Sequence, residues 1–125
     1  MLKKVLITGI NGQDGSYLAE FLINKNYEVW GIVKRNSVSE TQSTRIEHLL
    51  EKKLINLEYA DLTDMASLVS VLQKIQPDEI YNLAAQSHVR ISFDQPIYTA
   101  NATGLGTLNL LEAVRTVSQI GRAHV

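Results

Sequence analysis

The sequence predicts an α/β fold: a doubly wound parallel sheet of about four strands in the order 3-2-1-4, flanked by helices and lacking the further strands that usually complete such a sheet. Three observations carry this. Apolar runs of strand length alternate with stretches of helical periodicity along the chain. The first apolar run breaks into glycines at every third position, Gly9, Gly12 and Gly15, and then into an amphipathic stretch. Right-handed crossovers between parallel strands favour that strand order.

Residues 3–8 form a near-continuous apolar strand, the pattern of a strand covered on both faces. The glycines that follow suit a tight turn, because they reach positive φ without a Cβ clash and let the backbone approach a ligand. A helix is expected from Asp14 to Lys25, with Leu18, Phe21 and Leu22 on its buried stripe and Asn26 as its stop. Glu28–Val33 reads as strand two, and the serine- and threonine-rich segment Lys34–Thr44 as loop. A second helix from Thr44 to Lys52 leads to strand three, Ile55–Ala60. Helix three spans Asp64–Ile75, with Leu68, Val71, Leu72 and Ile75 at helical spacing and Pro77 ending it. Strand four is Glu79–Leu83. Gln86–Gln95 reads as a polar loop, which leaves strand four with an unpaired edge. A last helix begins near Pro96, with Leu108, Leu111, Ala113 and Val114 as core candidates. Gly121 interrupts that pattern, so residues 1–118 are expected to form one domain and 119–125 an unpatterned tail. The small number of strands predicts the first portion of a longer nucleotide-binding protein.

Composition narrows the function classes. With 125 residues, 45% of them hydrophobic, the chain can bury one sizeable core. A net charge of -1 and a pI near 6.3 provide no electrostatic footprint for a nucleic acid or an anionic membrane surface. The absence of cysteine removes disulfides, thiolate metal sites and cysteine nucleophiles, and suits a reducing compartment. The apolar run after Lys3 and Lys4 is too short for a signal-peptide core, and no stretch approaches membrane-spanning length. A cytoplasmic protein is expected.

The candidate chemistry collects at strand ends. A helix start after the glycine turn would aim unpaired amides and the positive end of its dipole at a pyrophosphate, although tight strand-to-helix turns also occur without nucleotides. An acidic residue closing strand two would accept hydrogen bonds from an adenosine ribose. Here Lys34 and Arg35 stand in that place, which favours a 2′-phosphate and hence NADP over NAD, unless the two are simply a solvated pair. Asp61 closes strand three and could accept from an adenine amino group or begin the next helix; Asp64 reads as the helix N-cap. Leu83, Ala84 and Ala85 leave room at the end of strand four, with Gln86, Ser87 and His88 beyond them. A lone histidine or tyrosine such as His88 or Tyr98 more often serves packing or the surface than chemistry.

The run Thr8-Gly9-Ile10-Asn11-Gly12-Gln13-Asp14-Gly15-Ser16-Tyr17-Leu18-Ala19-Glu20 resembles the opening of the GDP-mannose 4,6-dehydratase family, within the extended short-chain dehydrogenase/reductase superfamily. The likeness continues through Tyr59–Asp64, Pro77–Val89, Ser92-Phe93, Pro96, Tyr98–Ala100 and Gly106–Leu108, nearly the whole chain to Thr116. The Gln-Asp-Gly-Ser-Tyr-Leu and Ala-Gln-Ser-His-Val segments are specific to that family. The resemblance implies a Rossmann-like NADP-binding part of a lyase that converts GDP-mannose to GDP-4-keto-6-deoxymannose. By position, Gly9, Ile10, Asn11, Gly12, Gln13 and Asp14 would bind the pyrophosphate and Arg35 the 2′-phosphate. Asp61 and Leu62 would meet the adenine, Leu83, Ala84, Ala85, Gln86 and Ser87 the ribose and nicotinamide, and Tyr98 the cofactor as well. The family's loop after strand two reaches a neighbouring subunit, which implies a homo-oligomer; here Thr44-Arg45-Ile46 follows Lys34-Arg35-Asn36-Ser37 at a longer spacing than the family shows. The family's catalytic Ser/Thr-x-Glu and Tyr-x-x-x-Lys have no counterpart in these residues, and neither does its sugar-binding part. A related nucleotide-sugar dehydratase, epimerase or reductase, or a dinucleotide-binding module without chemistry, would share the same first half.

Overall fold

The computed structural model describes residues 2–33, 40–83, 89–92 and 105–123. They form β1 (Lys4–Thr8), α1 (Gln13–Asn24), β2 (Glu28–Val33), α2 (Glu40–Glu51), β3 (Ile55–Tyr59), α3 (Met65–Ile75), β4 (Glu79–Asn82), β5 (Val89–Ser92) and α4 (Leu105–Ala123). The sheet order is β3-β2-β1-β4-β5. The first four strands of that series are parallel, as expected, with Thr8 level with Ile32 on one side and with Asn82 on the other.

Strand alternation sorts β1 into two cores. Leu6 joins Ile32, Ile80 and the inward residues of α3 and α4, including Leu68, Leu72, Leu110 and Val114. Val5 and Ile7 face the opposite way, with Ala19 and Leu22 of α1, Val29 and Val33 of β2, and Ile46 and Leu49 of α2. Because helices cover both faces, β1 has no solvent side, and its Val5, Leu6 and Ile7 are fully buried. Left-handed residues close three helices: Asn26 (φ 66°), Lys53 (φ 56°) and Gln76 (φ 52°). Asn26 is the stop expected after α1; its N–H donates to the carbonyl of Ile23 at 3.0 Å.

Four sequence expectations are corrected. Phe21 is 56% exposed and Leu18 only half-buried, because the buried stripe of α1 is Gly15, Ser16, Ala19 and Leu22. A helix lying this close to a turn must present small side chains, so the large aromatic falls on the outer face, with the Lys25 ammonium 5.5 Å from its ring centre. Second, α2 begins at Glu40, inside the segment read as loop. Third, β4 is not an open edge: β5 pairs antiparallel with it, Asn82 opposite Val89 and Glu79 opposite Ser92. Val89-Arg90-Ile91-Ser92 carries the period-two alternation of an edge strand, but four residues are too few to stand out within a polar stretch. Fourth, α4 continues through Gly121 to Ala123, where the sequence pattern reads a break at that glycine. The expected helix start near Pro96 and the core role of Leu108 lie outside what the structure describes.

Candidate functional site

The C-terminal ends of the parallel strands share one edge of the sheet, and β1, flanked by β2 and β4, is where the strand order reverses. Ligands of open α/β sheets bind outside such an edge at that reversal. Three described segments meet there: the glycine turn after β1, Asp61–Asp64 after β3, and Leu83 after β4.

The glycine turn is built on exclusion. Gly9 has φ 69° and Gly12 donates its N–H to the Gly9 carbonyl at 3.0 Å. A Cβ on Gly15 would lie 2.2 Å from the Gly9 carbonyl oxygen and 2.7 Å from the Ile10 Cα. The first turn of α1 is therefore seated directly on the turn's backbone. Gly12 is the N-cap of α1 and makes no side-chain capping hydrogen bond. Gln13 and Asp14 are exposed at the helix start, whereas Asn11 is 8% exposed and Ile10 fully buried. Ile10 thus packs inward beneath the turn. Its side chain sits where Gly31 of β2 lacks a Cβ; one added there would stand 2.5 Å from Ile10 Cγ2 and 2.8 Å from Cδ1.

A buried polar tie joins β1 to β4. The Thr8 hydroxyl donates to Asn82 Oδ1, and both side chains are closed to solvent. The Leu83 N–H reaches the Thr8 carbonyl at 3.2 Å and the Thr8 hydroxyl oxygen at 3.1 Å. Leu83 is thereby fixed beside the glycine turn. Sequence reasoning passed over Thr8 and Asn82 as site-shaping residues; their signal was a polar residue at the C-terminal end of each strand.

After β3, Asp61 Oδ1 accepts from the Thr63 N–H at 2.9 Å and from the Thr63 hydroxyl at 2.7 Å. The Asp64 N–H donates to the Asp61 carbonyl at 2.9 Å, and the Asp61 N–H to the Ser67 hydroxyl at 3.3 Å. Asp64 is the cap of α3, accepting from the Ala66 N–H at 3.1 Å, as its position before the helix predicts. Of the two roles open to Asp61, beginning the helix is therefore taken by Asp64, and Asp61 shapes the loop at the sheet edge. The structure brings Gly9, Ile10, Asn11, Gly12, Gln13, Asp14, Asp61, Leu62 and Leu83 to this edge. Lys34, Arg35, Ala84, Ala85, Gln86, Ser87, His88 and Tyr98 lie outside the described residues.

Comparison with known proteins bears on what such an edge does. The sequence model of a family described as GDP-mannose 4,6 dehydratase matches residues 6–124. The chain is 53% identical over 120 residues to GDP-mannose 4,6-dehydratase of Vibrio cholerae, covering 92% of this chain and 32% of that protein. It is 55% identical over 121 residues to GDP-mannose 4,6 dehydratase of Homo sapiens, again covering 92% and 32%. The chain thus spans about a third of the length of the curated relatives it matches. Among solved structures it resembles the Bordetella bronchiseptica enzyme WbmH in complex with NAD+ (TM-score 0.62, 26% identity, 94% of this chain and 36% of that one). It shares its fold with leucoanthocyanidin reductase of Vitis vinifera, solved with NADPH (TM-score 0.67, 16% identity, 92% of this chain and 33% of that one).

Proposed function

The chain belongs to the GDP-mannose 4,6-dehydratase family, and from that premise we propose that it forms the NADP-binding part of an enzyme converting GDP-mannose to GDP-4-keto-6-deoxymannose. The observation that carries the reading is the glycine turn, where α1 sits so close on the backbone of Gly9 and Ile10 that Gly15 has no room for a Cβ, at the reversal point of a parallel sheet. The residues present fit a dinucleotide: bare backbone at Gly9 and Gly12, and a helix start capped by glycine rather than by a side chain.

In this reading Gly9–Asp14 hold the pyrophosphate through backbone amides and the α1 dipole. Asp61 and Leu62 meet the adenine, and Leu83, with Ala84, Ala85, Gln86, Ser87 and Tyr98, lines the ribose and nicotinamide side. Arg35 pairs with the 2′-phosphate and so selects NADP over NAD. The cofactor, when bound, supplies a hydride acceptor for sugar C4 and a hydride donor for C6 once water has left across C5 and C6. The proton transfers need an acid and a base. Neither Ser/Thr-x-Glu nor Tyr-x-x-x-Lys occurs in this sequence, so these 125 residues bind cofactor and do not turn substrate over. The lyase activity, the GDP-mannose site and the homo-oligomer belong to the whole enzyme, which this reading places in the cytoplasm. Among the described residues no helix is long and apolar enough to cross a membrane.

Calorimetric titration tests this directly. NADP is expected to bind more tightly than NAD, and Arg35→Ala to erase most of the difference, about tenfold for one charge-assisted phosphate contact. Equal affinities in the unaltered chain would remove the role assigned to Arg35, and GDP-mannose dehydration by the purified chain would overturn the division between binding and chemistry.

A further inference from the structure

We propose that Asn109 of α4 is a positioning residue for the adenine end of the cofactor site, an inference that rests on the NADP reading above. Asn109 Nδ2 donates to the carbonyl of Leu62 at 2.9 Å, across 47 residues of chain, in a half-buried contact. A carbonyl can only accept, so the amide nitrogen faces it and the bond has one direction.

Bonds within the loop and from β2 accompany this one: the Ala60 N–H donates to the Val33 carbonyl at 3.2 Å. Asp61, Thr63, Asp64 and Ser67 hold one another within a span of seven residues, which sets the loop's shape. Such bonds do not set where the loop stands relative to the sheet edge. Asn109 ties the loop to a second layer, because its helix is anchored: the neighbouring Leu110, Ala113 and Val114 are buried in the core shared with α3 and β4. The Leu62 side chain packs against that same core, so side chain and carbonyl are held from one layer. Recognition of a planar base by a carboxylate and a backbone group tolerates about half an ångström of misplacement. A tether from a separate helix supplies that accuracy, and its loss would blur the adenine contacts while leaving untouched the glycine turn, whose helix α1 packs on the opposite face of the sheet.

The test compares ligands that contain adenine with one that does not. NADP, 2′,5′-ADP and nicotinamide mononucleotide are titrated against the full chain and against Asn109→Leu and the near-isosteric Asn109→Asp, whose carboxylate cannot donate to Leu62. NADP and 2′,5′-ADP are expected to weaken by the same factor, about tenfold for one lost hydrogen bond in a half-buried site, with nicotinamide mononucleotide unchanged. Without ligand, the Thr63 and Asp64 amides are expected to exchange hydrogen several-fold faster, with the amide of Ala113 in α4 unchanged. Equal weakening of all three ligands would mean a general structural role and overturn the proposal, as would unaltered exchange at Thr63 and Asp64. If the unaltered chain binds neither NADP nor 2′,5′-ADP, the cofactor reading fails and Asn109's role with it. If it binds both and the variants bind equally well, the role of Asn109 alone fails. Should Asn109→Leu not fold, Asn109→Asp decides.

Discussion

The glycine turn after β1 and the Asp61–Asp64 loop after β3 face the same sheet edge and are held by opposite means. The turn takes its shape from where a Cβ cannot go, at Gly15 against the Gly9 carbonyl and at Gly31 against Ile10. The loop, which has no glycine, is shaped by side-chain hydrogen bonds from Asp61, Thr63, Asp64 and Ser67. Excluded volume is all or nothing, because packed backbone yields little before it is displaced. Hydrogen bonds are graded, each contributing about 1 kcal/mol net. A phosphate cradle must present bare amides at fixed positions, which close backbone packing secures. A loop that reads a base edge can be adjusted one bond at a time.

The contrast breaks most sharply at Gly15. Gly15→Ala drives a Cβ into the backbone of Gly9 and Ile10, and a loss of about 3 kcal/mol or more is expected in chemical denaturation, with dinucleotide binding abolished. A loss below about 1 kcal/mol would show that the turn gives way as a loop does. Gly31→Ala presses on Ile10, a β-branched and fully buried side chain with few rotamers to choose from. About 1–3 kcal/mol is expected, together with weaker NADP binding, although residue 31 lies in a strand beneath the turn. Unchanged binding would separate the strand from the cradle. On the loop side, Asp64→Ala removes the α3 cap and is expected to cost about 1 kcal/mol, lowering the thermal midpoint by a few degrees. The smallest effect belongs to an exposed pair away from the edge. Hydrogen bonding to Arg115 holds the Glu112 carboxyl below its ordinary range, and its partner is raised in turn. A depressed carboxylate adds stability that is present above the unfolded-state value and is lost as the pH falls through the folded one. Glu112→Gln is therefore expected to leave thermal stability nearly unchanged at neutral pH and to flatten only a slight decline in acid. A large change there would contradict the exposure of both side chains.

Much of this architecture is visible in one dimension because its causes are local. Glycines within seven residues of one another, an apolar run before them and helical periodicity after them require nothing distant, and so the turn, the parallel strand order and the Asp64 cap could be read directly. The exposed face of α1 could not. Periodicity groups Leu18, Phe21 and Leu22, but the contact of Gly15 with the turn decides which stripe faces inward. The short β5 is likewise settled by β4, whose hydrogen-bonding edge it completes.

What the sequence determined alone is the four parallel strands, their order in the sheet and the family resemblance, since each rests on residues close together in the chain. What only the tertiary structure decided is the polar carpentry of the site: Thr8 with Asn82, 74 residues apart, and Asn109 with Leu62, 47 apart. Burial favours apolar residues by kind, and so leaves a periodic trace. A buried hydroxyl or amide is tolerated only where one particular partner meets it, and which partner that is depends on how the layers stack.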